Sequence, residues 1–176
     1  YTLERAGFPE LFAEIDRLRA KLKSLPIHQV LLTTELNAAI VQTPRLGIFG
    51  WQHNTLILGL ALLLALTPEE ARSVLAHELG HLSGNHSRFS GYIYRVRLTW
   101  QRIMGAFHEG ASLGSRMMRR FFDWYSPYFS AYSFALARSN EYEADAIAAE
   151  LTSRDVATRA LVNIHITSPY TDESYW

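Results

Sequence analysis

Thr67 to Gly84 reads TPEEARSVLAHELGHLSG, and its spacing predicts a helix that carries two histidines and a glutamate. Thr67 before Pro68, with Glu70 three residues on, supplies an N-cap, a first-turn proline and the glutamate of a capping box. Ala71, Val74, Leu75, Leu79 and Leu82 recur at helical spacing, so this stripe turns to a core while the histidines look elsewhere. His77 and His81 are four apart, about one turn or ~6 Å along one face, which suits two bonds to one metal ion. Glu78 projects from the adjoining surface, where it reaches a water on that metal without being a ligand.

H-E-x-x-H is a zinc-peptidase signature for that mechanical reason. At this chain's His and Glu frequencies, an accidental match is expected on the order of one or two per cent of the time, and the independent helix signals around it reduce the chance further. The rest of the composition narrows the chemistry. Lys and Arg together number 17 and Asp and Glu 17, a balance that argues against nucleic acid as the primary partner. There is no cysteine, so disulfides and thiolate sites are excluded and any zinc site uses His and carboxylate. At 176 residues the chain is long enough for a sizeable core. It is expected to form a single domain, 1–176, with a helix and small sheet in 1–66, a zinc-binding helical part in 67–150 and a final helix and tail in 151–176.

Upstream of the motif, Pro9 to Lys23 places Leu11, Phe12, Ile15, Leu18 and Leu22 on one helical face, and Leu25 and Pro26 end it. His28 to Thr34 and Ala38 to Gln42 read as short strands. Pro44 and Gly47 mark a turn, and Gly50 with Gln52 to Asn54 marks a second interruption before Leu56 to Leu58 resumes as strand. Gly50 to Leu58, with Gly50, Trp51, Gln52, His53 and Asn54 leading it, is the candidate edge strand for an extended substrate, and His53 itself is read as structural. The most apolar stretch, Thr55 to Leu66, falls short of the ~20 residues a spanning helix needs, and reads as a buried strand running into a short turn or helix. The segment is expected to be soluble as it stands, and its start at Tyr1 instead of methionine suggests a processed or excised piece.

Downstream, Ser87 to about Phe107 is an arginine-bearing amphipathic helix, and Met117 to Tyr132 adds arginines to a dense aromatic cluster. Residues 87–132 therefore suit either a packed helical subdomain or a surface resting on a membrane. Pro127 restarts the chain in helical register, Tyr128 to Ala149 reads as one long helix, Ser153 to Ile166 as a last short one, and Ser168 onward as an unstructured tail.

A catalytic zinc with one open position needs a third protein ligand. His86 lies just past the first helix and His108 near a glycine-loosened helix end, so neither is in frame. Glu141 and Asp145 share a helical face: Glu141 can bind the metal while Asp145 accepts the free ring N–H of a ligand histidine.

HELGH at 77–81 together with EYEAD at 141–145 resembles the gluzincin family that contains the CAAX prenyl endopeptidases and the HtpX-type membrane proteases. The resemblance covers most of the chain, from about Val30 through NTLILG and LTPEEARSVLAHELGH to SNEYEADAIA. It implies an α+β, mainly helical, zincin-like fold with a small N-terminal sheet, an HExxH helix and a downstream ExxxD helix. It implies one zinc on His77, His81 and Glu141, a general base in Glu78 and a supporting carboxylate in Asp145. Since members are commonly integral membrane proteins and no spanning helix is evident here, it further implies a peptidase domain cut from a membrane-anchored parent of the bacterial inner membrane.

The expected activity is zinc-dependent endopeptidase cleavage of peptide or protein substrates, with His165 and Arg159 as candidate donors to the oxyanion. Two other readings stand beside it: a metal-stabilised peptide-sensing or interaction domain without turnover, and a zinc hydrolase of some non-peptide substrate. The presence of Glu78 favours an enzyme, because an inert metal site has little need of it.

Overall fold

The computed structural model describes residues 1–45, 52–83 and 113–174. The chain divides into two compact units, Tyr1–Gly84 with Glu143–Trp176, and Asn85–Tyr142.

The first unit opens with α1 (Pro9–Leu22), which has its proline in the first turn and buries Phe12, Ile15 and Leu18. Lys23 ends it in the left-handed region at φ 49°, its N–H turned back to Arg19 O. Three strands follow: β1 (Gln29–Thr33), β2 (Ala38–Pro44) and β3 (Gln52–Gly59). Their spatial order is β1-β3-β2, with β1 parallel and β2 antiparallel to β3.

This order corrects the edge-strand expectation over Thr55 to Leu58, the later part of the Gly50 to Leu58 stretch. β3 is the central strand: Gln52 to Leu58 pair with β2 and Thr55 to Gly59 with β1, so it has no open edge from Thr55 to Leu58, while Gln52 and His53 pair on the β2 side alone. Gly50 and Trp51 lie outside the described residues. Burial explains the placement: Asn54, Thr55, Leu56 and Leu58 are all covered, the near-continuous pattern of a strand enclosed on both faces. Asn54 is further tied down, its backbone N–H donating to His28 Nδ1 at 3.0 Å and its amide to Pro26 O at 2.8 Å. The outer side of β1 is covered as well, by Leu3 N–H to Val30 O and Leu32 N–H to Tyr1 O. Among the described residues, the outer side of β2 pairs with no strand.

β3 runs directly into α2 (Leu60–Ala65), as the Thr55 to Leu66 reading expects. Gly59, at the junction, is where the Glu35–Asn37 turn crosses the strand end. Its N–H donates to Asn37 O at 2.7 Å, and a Cβ there would stand 1.8 Å from Glu35 O.

α3 (Pro68–Gly80) has the full capping box, with Glu70 N–H to Thr67 Oγ1 at 3.3 Å and Thr67 N–H to Glu70 Oε2 at 2.9 Å. Leu75, Ala76 and Leu79 are buried in the core with Leu82, while Ala71 and Val74 are only partly covered. The helix stops at Gly80, short of Gly84, with His81 as its C-cap residue still in right-handed helical geometry.

α4 (Leu113–Leu151) runs unbroken through Pro127, where the sequence suggests a new start. A proline inside a helix removes one hydrogen bond at a cost of about 3 kcal/mol. Ring contacts that span the proline hold the two sides in register: Trp124 with Tyr128 at 5.9 Å and Tyr125 with Phe129 at 6.4 Å between centroids. In the second unit this aromatic stretch is largely exposed at Phe121, Trp124, Tyr128 and Tyr132. The expected Ser87 to Phe107 helix lies outside the described residues. No helix among the described residues is long and apolar enough to cross a membrane.

The last helix, α5 (Arg154–Ser174), extends beyond the expected Ile166 through what reads as a polar tail. The extension runs through Pro169, whose missing N–H makes the stretch read as a stop in the sequence. α5 packs on α3 through a buried polar tie. Glu70 Oε1 accepts from Asn163 Nδ2 at 3.1 Å and lies 3.6 Å from Arg159 Nε. The Thr67 N–H above all, then the Thr67 hydroxyl, Asn163 and Arg159, hold the Glu70 carboxyl below the usual carboxylate range against the opposing effect of desolvation.

Two outcomes follow. Gly59→Ala is expected to cost about 3 kcal/mol, the upper end for overpacking, because backbone oxygens meet the new methyl; urea unfolding checks it. Glu70→Gln is expected to lower the urea midpoint at neutral pH. A depressed carboxylate contributes stability above its unfolded pKa of roughly 4.3 and loses it as pH falls through the folded value, so the gap between the two proteins narrows on acidification.

Candidate metal centre

α3 brings His77 and His81 to its C-terminal end, where their rings meet edge to face at 4.9 Å between centroids. The two Nε2 atoms are 3.3 Å apart. On the other side of its ring, His77 Nδ1 lies 3.0 Å from Asp145 Oδ1. An ionised carboxylate only accepts, so Nδ1 carries the proton and the Nε2 lone pair faces His81.

That contact depends on a close approach of α3 to the last turns of α4. The backbone of Gly80 faces Ala144 and Ile147, where a Cβ would stand 3.4 to 3.5 Å from their atoms, and Ala144 and Ala148 are buried. Small residues let the helices come near enough for a short aspartate to reach the imidazole. Glu141 stands one turn before Asp145 on the same helix. One ligand atom each from His77, His81 and Glu141 lie within 4.8 Å of one another, a group able to hold a metal ion.

The donor set passes a simple test of fit. Two nitrogens bound to one tetrahedral zinc at about 2.0–2.1 Å stand about 3.3–3.4 Å apart. The observed 3.3 Å between the Nε2 atoms matches this before any ion is considered.

Glu78 and His77 form one side of a cavity of about 150 Å³ in the first unit, with Asp145 beside them. Leu36, Asn37 and Ala38, the turn held by Gly59 and the start of β2, close a second side. Ala157, Ala160, Leu161 and Ile164 of α5 close a third. Sequence spacing shows none of this wall, because its members come from five separate segments.

Other candidates do not converge here. Arg159 Nε lies 3.6 Å from Glu70 Oε1, toward the opposite end of α3, and His165 is exposed; neither is among the residues that line the cavity. His53 stacks on His28 at 4.9 Å between ring centroids. Desolvation first, then the nearby Arg45 and His28, holds it below the ordinary histidine range, in keeping with a structural role.

Residues 27–175 match the model of peptidase family M48. The chain is also similar to a protein named Protease HtpX from Psychrobacter sp. (strain PRwf-1), with 27% identity over 152 residues, covering 72% of this chain and 50% of the relative. It thus spans about half the length of that curated protein. With a family match across most of its length, the chain belongs to peptidase family M48.

Proposed function

We propose that the protein is a zinc-dependent endopeptidase, with zinc held by His77, His81 and Glu141 and with Glu78 as general base. The observation that carries this reading is the pair of imidazole Nε2 atoms 3.3 Å apart, one ring fixed from behind by Asp145, beside a cavity that Glu78 lines. Bound there, zinc would supply Lewis-acid polarisation of the scissile carbonyl and a water whose pKa falls toward ~7. Glu78 takes a proton from the attacking water and returns it to the leaving amine. Asp145 fixes the tautomer and ring orientation of His77.

The substrate backbone is assigned to β2 in place of β3. Its outer edge is open among the described residues, and Ala38 both begins it and lines the cavity beside Glu78. An extended peptide added there gains main-chain hydrogen bonds irrespective of its sequence. Membership of a peptidase family and the similarity to a protein named as a protease support turnover over an inert binding domain. The membrane-anchored parent and the membrane contact of residues 87–132 that the resemblance implies belong to the same proposal.

Glu78→Gln is expected to bind zinc at the wild-type stoichiometry and to lose about a hundred- to ten-thousand-fold in peptide turnover, read by metal analysis alongside a quenched-peptide assay. Full turnover in that variant, or turnover indifferent to chelator, would overturn the proposal. Asp145→Asn is expected to weaken zinc affinity about 10- to 100-fold, measured by competition with a chromogenic chelator.

A further inference from the structure

We propose that His28 is a proton-sensitive clamp on the start of β3: its neutral ring holds the first rungs of the sheet, and a proton on that ring releases them. The clamp sits toward the other end of the β2–β3 ladder from Ala38, the β2 residue that lines the cavity, and none of its members is a proposed metal ligand.

The course of the chain gives a side chain the work of a carbonyl. β1 begins at Gln29, opposite Thr55, and the rung before it runs from His28 N–H to Asn54 O at 2.9 Å. The N–H and C=O of one strand residue point to the same side, so Asn54 N–H also faces the β1 side. The acceptor it meets there is the His28 ring, with Nδ1 at 3.0 Å. Asn54 is 1% exposed, and its side chain is tied as well, the amide donating to Pro26 O at 2.8 Å and Oδ1 accepting from Gln42 Nε2 at 3.2 Å. One buried residue thus joins the approach to β1, the start of β3 and the far part of β2, and one of its bonds ends on a titratable group.

A carbonyl accepts at any pH, whereas an imidazole nitrogen accepts only through a free lone pair. With Nδ1 as the acceptor, the neutral His28 ring carries its proton on Nε2. A second proton lands on Nδ1, donor then faces donor, and the buried Asn54 N–H loses its partner. His28 is exposed, so solvent delivers that proton.

The neighbours push the same way. His53 stacks on His28 at 4.9 Å between centroids. The charged or titratable groups that act on His53 among the described residues are Arg45, just past the end of β2, and His28, with no carboxylate to offset them. Protonation of both rings therefore gathers three cations where β2 and β3 meet. Desolvation first, then Arg45 and His28, keeps His53 below the ordinary histidine range, so the folded sheet favours the neutral ring. A histidine depressed in this way contributes stability above its unfolded value of about 6.5 and loses it as pH falls through the folded value, so acid loosens this end of the sheet. Because Gln42 belongs to β2, the release reaches the strand assigned above to the substrate backbone. That last consequence rests on the peptidase reading; the clamp does not.

The test follows amide hydrogen exchange of the full chain by NMR at about pH 8 and about pH 5, on either side of the ordinary histidine value and above the carboxylate range. Protection of Asn54 N–H, corrected for the intrinsic rate, is expected to fall about tenfold toward acid, the worth of one net hydrogen bond. Ile15 and Leu18 of α1 should keep theirs. His28→Asn, whose Oδ1 accepts at any pH, should hold Asn54 protection constant, and His53→Phe, which keeps a ring beside His28 without a charge, should reduce the fall. In the wild-type chain the fall should share its midpoint with the titration of the His28 ring, and that ring should carry its proton on Nε2 at the higher pH. A proton on Nδ1 there, separate midpoints, constant protection, or an equal fall in wild type and His28→Asn each overturns the clamp. With the zinc-loaded chain and a quenched peptide, KM is expected to rise several-fold more toward acid in wild type than in His28→Asn. A KM that moves alike in the two removes the substrate consequence, and absence of any cleavage removes the peptidase reading, while the exchange result decides the clamp in either case.

Discussion

The hydrogen bond between His77 Nδ1 and Asp145 Oδ1, 3.0 Å long, constrains everything around it. It puts the ring proton on one nitrogen, which leaves the other as a lone pair, and it sets the plane in which that lone pair points. It also demands that two helices remote in sequence lie close, which is why Gly80, Ala144 and Ala148 stand where larger residues would hold the backbones apart. Once that approach is fixed, Glu78 is carried by the next position of α3 to the cavity wall with no freedom except its own side-chain torsions.

The two ends of α3 do different work, and the helix dipole suits both. Glu69 and Glu70 occupy the first turn, near the partial positive charge, and Glu70 anchors the helix to α5 through Asn163. His77 and His81 occupy the last turn and the C-cap, near the partial negative charge, where a bound cation is favoured. Glu70 and His77 are seven positions apart, roughly two turns, so the structural tie and the proposed metal site share one rigid rod without sharing atoms.

Local features of this arrangement are legible in the sequence. The capping box and the first-turn proline of α1 depend on neighbours a few positions away, and the fold holds both; the four-residue spacings likewise set His77 and His81 at one end of α3 and Glu141 one turn before Asp145 on α4. What fails is long-range. β3 reads as an edge because polar Gln52, His53 and Asn54 lead it, yet Asn54 is buried by partners at Pro26, His28 and Gln42, which no local pattern reveals. Arg159 reads as a free cation near the chemistry because its partner, Glu70, is recognisable only as a cap. Pro127 reads as a boundary because its cost is local while the ring contacts that offset it cross the proline.

The correction from β3 to β2 also changes what the sheet can contribute. From Thr55 to Leu58, β3 has its N–H and C=O groups engaged on both sides, so a substrate could approach that stretch only by displacing native pairs. β2 engages its groups on one side, and the turn before it is pinned by Gly59 N–H to Asn37 O. In the proposed reading, an edge so anchored would give an incoming peptide a fixed register, held by main-chain bonds regardless of its sequence. Backbone binding on β2 would then stand beside the proposed chemistry, since Ala38 at the start of that strand and Glu78 of α3 line one cavity.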